Sequence, residues 1–236
     1  MKLKLLCLAL SLASACVHAQ SLEERLAMAA QNVKIDEVVS LPVQKLKAVE
    51  SEGQIVFMSE NGRFVFIGQI YDVWQRKSLD TMGQIKNAVN KLSFENMGLE
   101  IDELNTLSMG VGKHEVVVFV DPFCSICHTL MKDAKSLTDK YTFKFVVVPA
   151  LGQNSIAPTK TISCAKDRDQ ALVAFMSDNI ESLPTIQGCD SKRFNTTLVA
   201  ADLMGINGVP FVVAPNGDIK RGRPANLENW LQERTL

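Results

Sequence analysis

No excess of one charge sign marks this chain. Its 236 residues carry 25 Lys and Arg against 26 Asp and Glu, a formal charge of -1. Without a basic surplus nothing neutralises a run of phosphates, which excludes general nucleic-acid binding. Aromatic residues are scarce at 6%, and Phe supplies 11 of them. Beyond the N-terminus no stretch approaches the roughly 18–20 apolar residues of a membrane-spanning helix. Six cysteines are too few for a disulfide-scaffold miniprotein. No internal repeat or low-complexity tract is present. What remains is 47% hydrophobic and 22% charged, enough to bury a core and too apolar for disorder. The length is comfortable for two small domains.

The N-terminus reads as an export signal. Lys2 and Lys4 form a positive region, Leu5 to Leu12 is an apolar run too short to span a bilayer, and Val17-His18-Ala19 places small residues before a cleavage site. Cleavage is expected after Ala19. A lipoprotein signal competes, because Leu12-Ala13-Ser14-Ala15-Cys16 is a loose lipobox. Removing residues 1–19 leaves 23 basic against 26 acidic residues, a formal -3, and four cysteines: Cys124, Cys127, Cys164 and Cys189. Outside the cytoplasm disulfides persist, so an even number suggests pairs, with three possible connectivities.

Residues 20–77 read as a first unit. Ser21 to Val33 has the apolar spacing of a helix, and Gln54 to Ser59 and Arg63 to Gln69 read as strands around Asn61-Gly62, a hairpin signal. The unit has no cysteine and no catalytic set. Its marginal size favours dimerisation through a sheet edge. Residues 78–97 read as a helical linker. Met82, Ile85, Val89 and Leu92 form one apolar stripe, as on a helix that holds two domains apart or packs on one of them. Residues 98–236 alternate strands and helices. Glu115 to Val120 is a continuous β-branched run of the kind found in buried central strands. A helix from about Cys124 to Leu137, a strand from Tyr141 to Val148, a mostly helical 155–204, a hairpin around Pro215-Asn216-Gly217 and a last helix Asn226 to Arg234 complete an α/β layout.

The chemistry concentrates in Cys124-Ser125-Ile126-Cys127-His128, which follows a strand and opens a helix. Helix first turns present free N–H groups and the positive end of the dipole, which stabilise a thiolate. Cys124, at the exposed start, is expected to attack a substrate disulfide, and Cys127 to resolve the mixed disulfide. Three other readings share the motif: c-type haem attachment, a zinc site using all four cysteines, and an inert structural disulfide. Cys164 and Cys189 read as a structural disulfide, since neither has the surroundings of an activated thiol; the alternative is that they also exchange. Val209-Pro210 is a candidate cis bond before a strand, with an ordinary trans proline as the blander reading. His128 either tunes the local field or is solvated on a helix surface. Asp121 either assists proton transfer or forms the turn before Pro122. Lys220, Arg221 and Arg223 read as a solvated edge.

These residues carry a family resemblance over essentially the whole chain after the signal. Asn61-Gly62-Arg63 through Gly68-Gln69-Ile70-Tyr71-Asp72-Val73, Val118 through His128, Ser163-Cys164-Ala165-Lys166-Asp167 with Cys189-Asp190, and Gly205-Ile206-Asn207-Gly208-Val209-Pro210 together resemble the DsbC/DsbG family of bacterial periplasmic thiol:disulfide interchange proteins. The resemblance implies a cystatin-like α+β N-terminal dimerisation domain, a helical linker, and an α/β thioredoxin-like C-terminal domain with a helical insertion. It implies a V-shaped periplasmic homodimer acting on misfolded, disulfide-containing exported proteins and reduced by a DsbD-like membrane partner. No cofactor, metal or nucleic-acid partner is expected. Cys124 and Cys127 would be the redox pair, Cys164–Cys189 the structural disulfide, and Val209-Pro210 the substrate-binding cis-proline loop. Two departures concern the balance of isomerase, reductase and oxidase. Ser125-Ile126 replaces the usual Gly-Tyr or Pro-Tyr, and Val209 stands where Thr is common, similar to DsbA-type oxidases. A dedicated thiol reductase or oxidase with few clients, or a holdase-like chaperone using the dimer cleft, are the alternatives to isomerase.

Overall fold

A computed structural model describes residues 34–42 and 45–235. The export signal, Cys16 and the expected helix 21–33 lie outside the described residues.

The N-terminal part is an antiparallel sheet in the order β1 (Glu37–Ser40), β2 (Leu46–Ser51), β3 (Gln54–Ser59) and β4 (Val65–Phe66). A ribbon of β5 (Ile70–Asp72) and β6 (Lys77–Leu79) and helix α1 (Met82–Val89) follow. Residues 54–59 form the expected strand, whereas only Val65–Phe66 of 63–69 pairs with it. The connection is wider than a two-residue hairpin: Ser59 N–H donates to Phe64 O, and Asn61 Oδ1 accepts from Ser59 Oγ and Arg63 N–H. Those local bonds hold residues 60–64 off the ladder.

Thr81 and Gln84 cap α1 reciprocally: Thr81 Oγ1 accepts from Gln84 N–H, and Gln84 Oε1 from Thr81 N–H, each at 3.2 Å. Met82 and Ile85, one turn apart, bury against Ala48, Phe57 and Leu79. The helix therefore packs on the N-terminal sheet. Leu92, the fourth residue of the predicted stripe, lies past the helix end and joins the core of the following unit.

That unit is built on a five-stranded mixed sheet. Its elements are β7 (Thr106–Met109), β8 (His114–Val120), α2 (Ser125–Ala134), β9 (Tyr141–Val147), α3 (Gln153–Ser163), α4 (Arg168–Met176), α5 (Lys192–Leu203), β10 (Phe211–Val213), β11 (Ile219–Arg221) and α6 (Leu227–Gln232). The strand order is β11-β10-β8-β9-β7, with β8 and β9 parallel and the remaining pairs antiparallel. The predicted central strand is central. Val116, Val118 and Val120 face α2, contributing to a core with Leu130, Met131, Phe143, Phe145 and Phe175. Val117 and Phe119 face the other way, toward Ala200, Ala201 and Met204 on and just after α5. Both faces are covered, which is why the run lacks polar alternation. Each fully buried Val or Phe contributes about 1.5–3 kcal/mol.

Two connections pin the edges. Gly112 lies against the Lys140–Tyr141 backbone so closely that a Cβ there would overlap it. The Arg168 guanidinium, lowered to about 10 by burial and by nearby Arg193, donates to Thr106 O, Ile162 O and the Asn105 side chain. It thereby ties α4 to the β7 edge. The chain after α1 is strapped to the β10–β11 hairpin: Leu92 N–H donates to Gly217 O and Ile219 N–H to Asn90 O, both at 2.9 Å. Of the cluster read as a solvated edge, Arg223 instead pairs with Asp133 of α2 at 2.6 Å, and Arg221 lies over the Phe211 ring.

Candidate active site

Strand β8 delivers Asp121 at its end, and three residues later Cys124 occupies the N-cap of α2 in extended conformation. Cys124 Sγ accepts the N–H of Cys127 at 3.1 Å, so the sulfur takes the place a Ser or Asp oxygen fills in an ordinary cap. A developing thiolate there receives a direct N–H donor and the helix-dipole field. Cys124 and Cys127 are joined in a disulfide, with Cα atoms 5.2 Å apart. Cys127 is fully buried.

Cys124 corrects one expectation. It is recessed, at 6% exposure, rather than standing at an open helix start. The loop before β10 folds over it, bringing the Val209 carbonyl to 3.8 Å from Sγ. The Val209–Pro210 peptide is cis. Ser125 and Ile126, between the cysteines, are exposed.

His128 is also not a solvated surface residue. Its ring stacks on Phe175 of α4, with centroids 5.0 Å apart. Its Nε2 lies 2.9 Å from Pro122 O and 3.4 Å from an Asp178 carboxylate oxygen. As a donor at Nε2 it fastens α2 to the turn before Cys124. Asp121 is wholly buried. It forms the expected turn, accepting Phe123 N–H at 2.8 Å, and also accepts Leu151 N–H and Ser155 Oγ–H, each at 2.9 Å.

The other two cysteines form a second disulfide between the C-cap of α3 and the approach to α5. The four sulfurs are divided between two places in the fold, so the four-cysteine zinc reading fails. A Cys-x-x-Cys disulfide capping the first helix of a mixed-sheet domain, faced by a cis-proline loop, defines a thioredoxin-fold thiol–disulfide oxidoreductase.

Comparison with known proteins agrees. Residues 106–233 match the family described as a thioredoxin-like domain, and residues 13–81 match the disulfide bond isomerase protein N-terminal domain. The thiol:disulfide interchange protein DsbC of Salmonella typhimurium is 26% identical over 227 residues, covering 93% of this chain and 90% of that protein. The DsbC of Haemophilus influenzae is 27% identical over 210 residues, covering 86% and 87%. A disulfide interchange protein from Neisseria gonorrhoeae superposes with a TM-score of 0.49 at 25% identity, covering 58% of this chain and 98% of that one. The chain belongs to the thioredoxin-like family, and over most of its length it is similar to DsbC thiol:disulfide interchange proteins.

Sequence reasoning missed three site features. Leu151 and Ser155 join the active-site turn from the far end of β9, and no local signal marks them. Phe175 as the partner of His128 comes from another helix. Phe123 was legible: a large apolar residue beside the reactive cysteine, it is 58% exposed.

Proposed function

We propose that the protein is a disulfide isomerase of exported proteins, with Cys124 as attacking group and Cys127 as resolving group. The observation that carries this reading is the Cys127 N–H donated to Cys124 Sγ at the N-cap of α2, a donor that stabilises the Cys124 thiolate selectively. In the reduced enzyme, Cys124 thiolate attacks one sulfur of a client disulfide and releases the other as thiolate. The mixed disulfide is then broken by a client thiolate, which leaves a rearranged client and regenerates Cys124. Alternatively, Cys127 attacks the Cys124 sulfur; the client leaves reduced and the enzyme oxidised by the same two electrons. Val209-Pro210 offers backbone to an extended client beside the sulfur. Ser125, Ile126 and His128 tune the thiolate. Cys164–Cys189 stays closed.

The N-terminal unit, residues 20–77, is the dimerisation domain, and 78–97 link it to the catalytic domain 98–236. Exposed Phe64, Val65, Phe66 and Ile67 along the two-residue edge strand β4 support pairing with a second copy. The protein acts in the periplasm after cleavage behind Ala19, where a DsbD-like membrane protein keeps Cys124 reduced. Among the described residues, no helix is long and apolar enough to cross a membrane.

The test is reactivation of an enzyme with scrambled disulfides in a glutathione buffer. Recovery with the wild type and none with Cys124→Ser supports isomerisation. No recovery alongside intact insulin reduction sinks it. That result would favour the second reading, a dedicated reductase or oxidase, for which the specific observation is the hydroxyl-free Val209 against Cys124.

A further inference from the structure

We infer that Asn207-Gly208 is a self-modification site: the Gly208 nitrogen closes on the Asn207 side-chain amide, and the isoaspartate that results takes the loop before β10 out of register with Cys124. Its effect on exchange rests on Cys124 being the attacking thiol; the modification itself does not.

The sequence holds three Asn-Gly pairs, at 61–62, 207–208 and 216–217. Glycine is the following residue that least hinders closure, because it has no Cβ to crowd the attacking nitrogen. Closure also needs that N–H to give up its proton and the Asn side chain to swing back over it. Two of the pairs are held against both movements. Gly62 N–H donates to Ser59 O, while Asn61 Oδ1 accepts from Ser59 Oγ and Arg63 N–H. Gly217 N–H donates to Ala214 O, while Asn216 Oδ1 accepts from Asp218 N–H and its Nδ2 donates to Asp218 Oδ2. The third pair lies between α5 and β10, with both residues exposed. A Cβ on Gly208 would meet no atom within 4 Å. Among the described residues, neither the Gly208 N–H nor the Asn207 side chain has a hydrogen-bond partner.

The step needs water and no oxidant. The Gly208 nitrogen forms a bond to Asn207 Cγ, the Cγ–Nδ2 bond breaks, and ammonia leaves with the proton from Gly208. Water then opens the cyclic imide. Attack at Cγ gives aspartate; attack at the main-chain carbonyl carbon gives isoaspartate, whose chain runs on through Cβ and Cγ and is one atom longer. That atom enters a loop fixed at both ends, by buried Met204 and by Phe211 paired with Phe119 of β8. The slack falls on Gly208 and Val209, and the Val209 carbonyl is the group 3.8 Å from Cys124 Sγ. Either product also adds a negative charge to this side of the site, which disfavours a thiolate.

The test ages the full-length protein in mildly alkaline buffer. Peptide mapping by mass spectrometry follows the replacement of NH by O at the three sites, and an isoaspartyl methyltransferase labels the isoaspartate. Asn207 should convert at least about tenfold faster than Asn61 or Asn216, the scale of the hydrogen bonds those two must break. Reduction of a peptide disulfide should fall in step with isoaspartate, by about tenfold or more in the converted form, as for a displaced contact at a reacting atom. Asn207→Asp, which carries the charge without the extra atom, should lose only about twofold. Gly208→Ala should keep both its amide and its own starting rate through the ageing. Should it not fold, Asn207→Gln, whose longer side chain closes slowly, decides by the same comparison. Conversion of Asn207 no faster than of the other two overturns the inference. So does a full rate in protein converted at Asn207, or a fall in Gly208→Ala equal to that of the wild type. Fresh wild type that reduces no peptide would instead remove Cys124 as the attacking thiol, while the mass map would still decide the modification.

Discussion

Replacing Cys164 and Cys189 together by alanine separates a stabilising disulfide from an exchanging one. The bond spans 25 residues of sequence. In the chain-entropy description, opening a loop of that length frees the unfolded chain by about 3.5 kcal/mol at 25 °C. The folded state keeps its other ties across the same loop. Ile186 N–H donates to Cys164 O at 2.8 Å, Lys166 N–H to Pro184 O at 3.0 Å, and Ala165 bridges Thr185. Ile180 and Leu183 remain in the core. The loss should thus fall almost wholly on the unfolded side. Urea unfolding should show a lower midpoint with an equal or larger m value, since the released chain exposes more surface. Calorimetry should show a midpoint lower by about 7–14 °C for a chain of this size. Exchange with glutathione disulfide at 25 °C should change by less than about twofold, because no group at Cys124 is touched. A stability loss under about 1 kcal/mol would refute the loop argument. A folded variant with exchange reduced tenfold would refute the structural role and bring the second pair into the chemistry.

Three further outcomes follow from particular contacts. Phe66→Lys puts a charge on the exposed edge strand β4, and sedimentation should show the dimer giving way to monomer; an unchanged mass would place the interface elsewhere. Gly112→Ala forces a Cβ into the Lys140–Tyr141 backbone, so urea unfolding should show a loss of about 2 kcal/mol or more, and a neutral result would mean that the turn relaxes freely. Glu115 is exposed as a residue, yet desolvation pushes its carboxyl above 4.5, with Lys144 opposing. A raised acid binds more protons folded than unfolded, so its contribution to stability falls as pH rises from about 4.5 through the folded value. Glu115→Gln should therefore gain stability relative to wild type as pH rises through that window, and a flat difference would count against the desolvation.

Much of the fold was legible. The β-branched run 115–120 announced a strand buried on both faces, and the Cys-x-x-Cys after it announced a helix start, because both are local patterns with one good structural answer. Short edge elements were harder. Thr106–Met109 is a four-residue strand whose identity comes from pairing with β9, and nothing in Thr-Leu-Ser-Met marks it as such. The loop at Asn61-Gly62 is wider than its two-residue hairpin signal, because side-chain bonds from Ser59 and Asn61 reshape it. Of the two readings of His128, the structure sets aside the solvated one for the same general reason: exposure depends on which other helix arrives, and Phe175 comes from 47 positions along the chain.

The reactive groups themselves were set in the primary structure. Cysteine spacing, a strand before and a helix after suffice to put two sulfurs one turn apart on a helix N-terminus, since local backbone geometry does the rest. Access to those sulfurs was not. The recessing of Cys124 depends on a loop more than eighty residues away closing over it, and the turn before it depends on Asp121 gathering donors from beyond two strand ends. Such arrangements follow from long-range packing around the central sheet, where partners are chosen by topology rather than by neighbouring residues, and only the assembled fold brings them together.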